Sequence, residues 1–415
     1  MKRINASLVG TAMMLSILSA NAESKGDYFN PLQTAIPSLS IAPDARGGGM
    51  GDVGAATSAD VYSQYWNPSK YATMEDKGGI AISYTPWLRD IVNDIYLAYL
   101  VGYYKLDDKQ ALSASMRYFS YGEINLSDMP GPSGDVISYG TAKPYEFAVD
   151  FAYSRALSKY WYASVALRFI YSDLMNGVVD EQAYSAAKAV AADISAFYSR
   201  PFDLSDKRVA KLNIGTNISN IGSTASYDDH MTEQFIPTNW RLGINYEFPI
   251  DQYNKFSASF DLNKLLVPTT PLESDYIDSD RTYTKEEYEQ AQKEFKEALE
   301  EYHKCSSVKG IFKSFGDSGG FGEEMKEINW SLGGEYSYRD MFMARFGYFH
   351  ENESKGNRKY FAAGVGFKMK VFEINAAYLF AAKSNAHCPL DNTLRFSLGF
   401  NFDGVKKMAD NSVAE

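Results

Sequence analysis

Polar and apolar positions alternate with a period of two along most of this chain. In YEFAVDFAYS (145–154), Tyr145, Phe147, Val149, Phe151 and Tyr153 share one face, and Glu146, Ala148, Asp150, Ala152 and Ser154 the other. Successive side chains of a β-strand point to opposite sides, so this stretch predicts a strand with one apolar and one polar or small face. WRLGINYEF sets Trp240, Leu242, Ile244, Tyr246 and Phe248 against Arg241, Gly243, Asn245 and Glu247. TLRFSLGFNF sets Leu394, Phe396, Leu398, Phe400 and Phe402 against Arg395, Ser397, Gly399 and Asn401. FSASFDLN, NWSLGGEYSY, YFAAGVGFKM and FEINAAYLFA repeat the pattern. Strands are predicted to begin near Gly79, Asp94, Gln110, Pro144, Tyr160, Ala191, Ala210, Thr238, Asn254, Ile328, Met341, Arg358, Val371 and Asn392. The sixth is ambiguous, because AYSAAKAVAA also reads as helix.

Three features separate this pattern from a soluble sandwich. The strands run to about ten residues, where soluble strands average ~5–6. Their apolar face is aromatic, with Tyr and Trp near the ends, as in the interfacial girdles of membrane barrels. The connections also alternate in length. LDDK, ALSK, SDKR, PIDQ and RD are short, whereas 122–143, 173–190, 220–237 and 265–327 are long. The expected fold is all-β: a transmembrane antiparallel β-barrel of about 14 strands over 78–403, with an N-terminal lumen plug and long extracellular loops. An even strand number closes without a free edge. The short turns then face the periplasm, as does a C-terminal tail over 404–415. Glu146, Asp150, Arg168, Arg241, Glu247, Asp261, Glu335, Lys368, Glu373 and Arg395 fall on the inward face, where charge avoids lipid. Glu146 and Arg168 are expected to pair across the ALSK turn.

The N-terminus supplies the compartment. Lys2 and Arg3 precede an apolar run from Leu8 to Leu18, and Ala20–Ala22 offers small residues for cleavage, which predicts a signal peptide over 1–22. Aromatic residues make up 15% of the 415, and the net charge of −11 argues against nucleic acid as a partner. Cys305 and Cys388 both fall in expected external loops, and in an oxidising envelope they are disulfide candidates. The long loop 265–327 holds one organised element. Thr284 and Glu287 fit a capping box, and Tyr288, Ala291, Phe295, Ala298, Leu299 and Tyr302 recur at helical spacing over 285–302. Two readings stay open for this face: a lid packed on the barrel mouth, or a partner-docking helix.

GDSGG (316–320) and AHC (386–388) echo motifs of trypsin-like proteases. Here Ser318 precedes His387, the reverse of that family's order, and its two-barrel domain is missing from the pattern, so a Gly/Ser turn is the expectation. GDSGG also spells GxSxG, but it falls in a loop and not at the strand-to-helix turn of a nucleophile elbow, so no such elbow is read here. His230, His303, His350 and His387 scatter in or beside external loops with no metal-binding spacing. No catalytic, cofactor-binding or metal-ligating residue is therefore assigned, no cofactor is expected, and the protein reads as no enzyme.

Residues 23–77 lack alternation and are rich in Gly and Ala. The stretch SIAPDARGGGMGDVGAATSADVYSQYWNPSKYATM (40–74) resembles the N-terminal hatch of the long-chain fatty-acid transporter (FadL-like) barrels, whose aromatic-Asn-Pro-Ala element is matched by Trp66, Asn67, Pro68 and Ser69, with Ser in place of Ala. Together with ISYTPWLRDIVNDIYLAYLVGYYK (82–105), it is more similar to the PorV (LptO) branch, outer-membrane components of type IX secretion in Bacteroidetes. The resemblance implies an outer-membrane protein that binds the C-terminal signal of exported cargo and carries it from the translocon barrel to a sortase-containing attachment complex. It also implies contact with outer-membrane lipid and lipopolysaccharide. Two alternatives remain: a transporter of fatty acids or other hydrophobic compounds, and a lipopolysaccharide O-deacylation factor.

Overall fold

Fourteen antiparallel strands close into a barrel in the computed structural model, which describes residues 29–87, 94–127, 138–176, 185–204, 208–228, 232–277, 281–317, 320–382 and 392–404. In chain order the strands are β1 (Gly78–Pro86), β2 (Ile95–Asp107), β3 (Gln110–Tyr121), β4 (Ile124–Ser127), β5 (Ser138–Ala142), β6 (Tyr145–Ala156), β7 (Trp161–Asp173), β8 (Ala187–Asp203), β9 (Val209–Gly222), β10 (Asn239–Pro249), β11 (Asn254–Leu265), β12 (Ile328–Tyr338), β13 (Phe342–His350), β14 (Lys359–Lys368), β15 (Phe372–Ala381) and β16 (Thr393–Asn401). Neighbours in sequence pair throughout, with two exceptions. β4 and β5 form a separate hairpin in the loop between β3 and β6, and β1 closes the ring on β16 through pairs such as Ile80 with Phe400. The sixth barrel strand is strand and not helix, and starts at Ala187, four residues before the expected Ala191.

The two faces sort as the pattern requires. Phe151 and Leu167 are about two-thirds exposed on the outside, with 65% and 67% of their surfaces free, whereas Asp150, Arg168, Asp261 and Arg395 are buried in the lumen. Burial of apolar side chains inside cannot stabilise such a wall; the outward face is solvated by lipid, and the ladder satisfies the backbone. Turns at one end are tight. At the β12–β13 hairpin Arg339 and Asp340 both take left-handed φ (55° and 53°), as a type I′ turn requires. The opposite end carries the long loops. Among them, 265–327 folds into α3 (Lys285–His303), α4 (Ser307–Lys313) and α5 (Phe321–Lys326).

One register expectation is corrected. Glu146 lies opposite Ser172, and Arg168 lies opposite Asp150. The turn between β6 and β7 pairs Ala156 with Tyr162, which carries Arg168 past Glu146. The ion pair is Arg168–Asp150 at 2.9 Å, with Asp193 of β8 also 2.9 Å from the same guanidinium. Glu146 instead accepts a hydrogen bond from Tyr121 at 2.7 Å.

The expected signal peptide (1–22), residues 23–28 and tail residues 405–415 lie outside the described residues, as do His230, Ser318, His387 and Cys388.

Candidate functional site

The segment ahead of β1 fills the lumen. It runs through α1 (Ala45–Gly48) and α2 (Ser63–Trp66), with 3-10 turns at Pro37–Ser40 and Pro68–Thr73. Asp44 caps α1 by accepting from the Gly47 N–H at 2.8 Å, and takes the indole N–H of Trp66 at 2.6 Å on its other oxygen. One buried carboxylate thus ties the two helices together. Burial pushes its carboxyl up to about 6, with Asp60 adding to the rise.

Each face of the plug is matched by an inward side chain of the wall. Arg46 bridges Asp60 of the plug (2.7 Å) and Glu335 of β12 (3.0 Å), and Arg345 of β13 reaches the same Glu335 at 2.6 Å. Arg395 of β16 and the Tyr360 hydroxyl of β14 both reach Asp52 at 2.5 Å. Asp261 of β11 accepts the N–H groups of Gly54 and Ala55 (2.8 and 2.9 Å). Lys70, fully buried, donates to the Gly54 carbonyl at 2.8 Å and to Thr57 at 3.1 Å; burial pulls its ammonium down to about 8. Buried charge is costly unless paired, and here the inward charges pair either with the plug, as Glu335, Asp261 and Arg395 do, or within the wall, as Arg168 does with Asp150 and Asp193.

Trp66, Asn67, Pro68 and Ser69 sit against the wall. Asn67 donates to the Ala196 carbonyl of β8 and to Ala55 (both 3.0 Å), and the Pro68 carbonyl accepts from Ser154 of β6 at 2.7 Å. The Ser69 N–H reaches Ser195, and the Trp66 carbonyl accepts from Asn217 at 3.2 Å. Arg241 lies 4.8 Å over the Trp66 ring. The wall comes close enough only because it carries glycine where the plug touches. A Cβ on Gly215 would lie 1.9 Å from the Ala55 carbonyl oxygen, and one on Gly347 2.0 Å from the Met50 carbonyl carbon.

Two openings flank the plug. Toward the short turns lies a cavity of about 560 Å³ with a mixed lining, charged at Arg46, Glu247, Lys368 and Glu373 and apolar at Val61, Phe248, Phe256 and Phe372. On the loop side, among the described residues, a cleft of about 90 Å³ enters between Trp66, Arg241, Arg358 and Tyr360. Above it α3 covers part of the mouth. Tyr302 packs edge-on against Phe235 at 5.4 Å, Phe295 meets Tyr276 at 5.8 Å, and Ala291 is buried, whereas Tyr288 is exposed and Leu299 half-buried. The capping box is formed, with Thr284 and Glu287 each accepting from the other's N–H (3.2 and 2.8 Å). Cys305 is a free thiol buried beside Phe235, Val267 and Tyr302; Cys388 lies outside the described residues.

Inward parity identified Arg241, Asp261, Glu335 and Arg395 of the wall in the sequence, but not Arg345 or Tyr360. The plug half (Asp44, Arg46, Asp52, Asp60, Lys70) was missed. Its signal was confined to charge of both signs inside a Gly-rich segment, APDARGGGMGD, which holds Asp44, Arg46 and Asp52.

A family description, "Type IX secretion system protein PorV", matches residues 24–272. No curated protein sequence matches the chain. Among solved structures, the barrel is similar to the toluene transporter TodX of Pseudomonas putida (10% identity, TM-score 0.46, covering 90% of this chain and 98% of that one). It is also similar to a FadL homologue of Pseudomonas aeruginosa (10%, 0.43, 90% and 100%) and to the toluene transporter TbuX of Ralstonia pickettii (10%, 0.44, 87% and 96%). Likeness at these scores carries nothing about substrate. The family match spans more than half of the sequence, and the chain belongs to the PorV family of type IX secretion system proteins.

Proposed function

We propose that this outer-membrane barrel is a non-enzymatic cargo shuttle, which binds the C-terminal signal of exported proteins and delivers them from the translocon to the surface attachment complex. Family membership supports the pathway. The observation that carries the reading is the plug: its helices are locked to the wall by buried ion pairs such as Arg395–Asp52 and Arg46–Glu335, so recognition belongs to the surfaces and not to a conduit. Transport of a hydrophobic compound is the weaker reading, since charged groups such as Arg46, Glu247, Lys368 and Glu373 interrupt the apolar lining of the cavity below the plug. Lipopolysaccharide deacylation finds no support in any residue arrangement described above. A deletion strain separates the three. The shuttle reading predicts that cargo with an intact C-terminal signal stays in the periplasm, while growth on fatty acids and lipid A acylation are unchanged. Normal secretion overturns it.

A further inference from the structure

We infer that α4 and α5 of the long external loop are seated in the outer leaflet of the membrane, where they complete the barrel's aromatic girdle. The girdle itself is visible as a chain of outward rings near the loop-side rim. Tyr84, Tyr96, Tyr118, Tyr145 and Tyr171 follow one another across β1, β2, β3, β6 and β7, with centroids 5.6, 6.2, 5.8 and 5.9 Å apart. Trp330, Tyr348, Phe361 and Phe380 continue it across β12 to β15 at 5.3, 4.9 and 5.9 Å. Between β7 and β12 the ring thins out. The outward positions of β8 to β11 near this rim are Lys188 and Val190, Ile218, Trp240 and Lys264, with Lys188 opposite Tyr171 and exposed. A lysine at such a position is costly against hydrocarbon.

The loop folds back over this gap. Phe315 packs edge-on against Trp240 at 6.4 Å and lies 5.8 Å from the Lys264 ammonium. Glu324 of α5 and Glu327 hold that ammonium at 3.0 and 2.5 Å, and it is buried. The loop thus neutralises and covers Lys264, the charge deepest in the gap's β10–β12 side, and sets apolar side chains of its own over it. Val308, Phe312 and Phe315 follow i, i+4, i+7 spacing, and Phe321 and Met325 follow i, i+4. All five are exposed, Phe312 at 75%. The opposite side of α4 faces protein: a Cβ on Gly310 would lie 2.7 Å from the Phe235 ring. Lys309 and Lys313 flank the apolar face, where anionic headgroups would meet them. An exposed patch of this kind calls for a covering partner. Its continuity with the lipid-facing belt makes that partner the bilayer.

The test uses the full-length protein in phosphatidylcholine nanodiscs, with Phe312→Trp compared against a Tyr288→Trp reference on the exposed end of α3. The wild-type spectrum is subtracted so that only the added tryptophan is read. Lipid brominated on the acyl chain just below the headgroup should quench most of the emission at 312 and leave that at 288 unchanged, while aqueous acrylamide should do the reverse. A tryptophan at 312 that responds to acrylamide like the reference overturns the inference, and leaves the patch to a protein partner. Shielding from both quenchers also overturns it, because protein and not lipid would then cover the site.

Discussion

Replacing two of the wall glycines that touch the plug should open the barrel. At Gly215 and Gly347 an added Cβ falls 1.9 and 2.0 Å from backbone atoms of Ala55 and Met50. Carbon contacts are comfortable at ~3.5–4.0 Å, so each side must give by more than an ångström. Neither clash is with a flexible side-chain tip. The strand is held by two ladders, which leaves the plug as the part that moves. Overpacking costs typically ~1–3 kcal/mol, and valine at a backbone-to-backbone contact belongs at the upper end. At ~1.4 kcal/mol per tenfold, one substitution shifts the docked-to-undocked ratio roughly 100-fold. β9 and β13 are separate parts of the wall, so the two effects should add, to roughly 10⁴-fold. The assay is conductance in planar bilayers. Wild type should stay closed, single variants Gly215→Val and Gly347→Val should open intermittently, and the double variant should conduct. Heat-modifiable mobility should persist in all of them. Gly334→Ala is the control, because its nearest neighbour is the Phe256 ring at an ordinary 3.5 Å. A double variant that stays closed, with unchanged thermal unfolding, would refute the claim that these contacts hold the plug.

Three further outcomes are expected. Arg168→Met strands Asp150 and Asp193 in the lumen wall without their shared cation, and should cost ~3–5 kcal/mol in denaturant unfolding of the detergent-solubilised barrel; converting both aspartates to asparagine in the same protein should recover part of that loss. Asp44 takes up a proton at about 6 in the folded plug against 3.8 in an exposed chain, so the folded state binds more protons between these values and its contribution falls as pH rises through that window. Accordingly, the stability difference between wild type and Asp44→Asn, measured by denaturant titration, should shift in favour of wild type from pH 7 to about 5, with Asp60 and Arg395 as its charged neighbours; a difference flat with pH contradicts the burial argument. Deleting 284–302 should leave heat-modifiable mobility intact, since α3 adds nothing to the strand ladder, and should lower cargo secretion if its exposed end at Tyr288 receives a partner; normal secretion would leave α3 as a lid alone.

The barrel was legible because a lipid-facing wall imposes period two on every strand. Thirteen of the strand starts fall within one residue of where alternation placed them, and the sixth, from Ala187, was blurred by alanines that suit helix and strand alike. Pairing was harder. Parity placed Glu146 and Arg168 on the inner face, but their relative height depends on the turn at 157–160, and a four-residue displacement handed Arg168 to Asp150. The capping box marked α3, whereas α4 and α5 are too short for periodicity to announce. The β4–β5 hairpin was missed for the same reason. Least legible was the plug. Its contacts join residues hundreds of positions apart, such as Asp52 with Arg395, and composition carries no information on which carboxylate meets which guanidinium.

Retention of a cargo signal is the most direct test of the proposed role. The intact barrel, gently solubilised from outer membranes, is passed over an immobilised reporter protein that ends in the C-terminal signal domain of a secreted cargo, and in parallel over the same reporter without it. The shuttle account predicts that the barrel is held by the first and passes through the second. Equal passage through both would contradict the account.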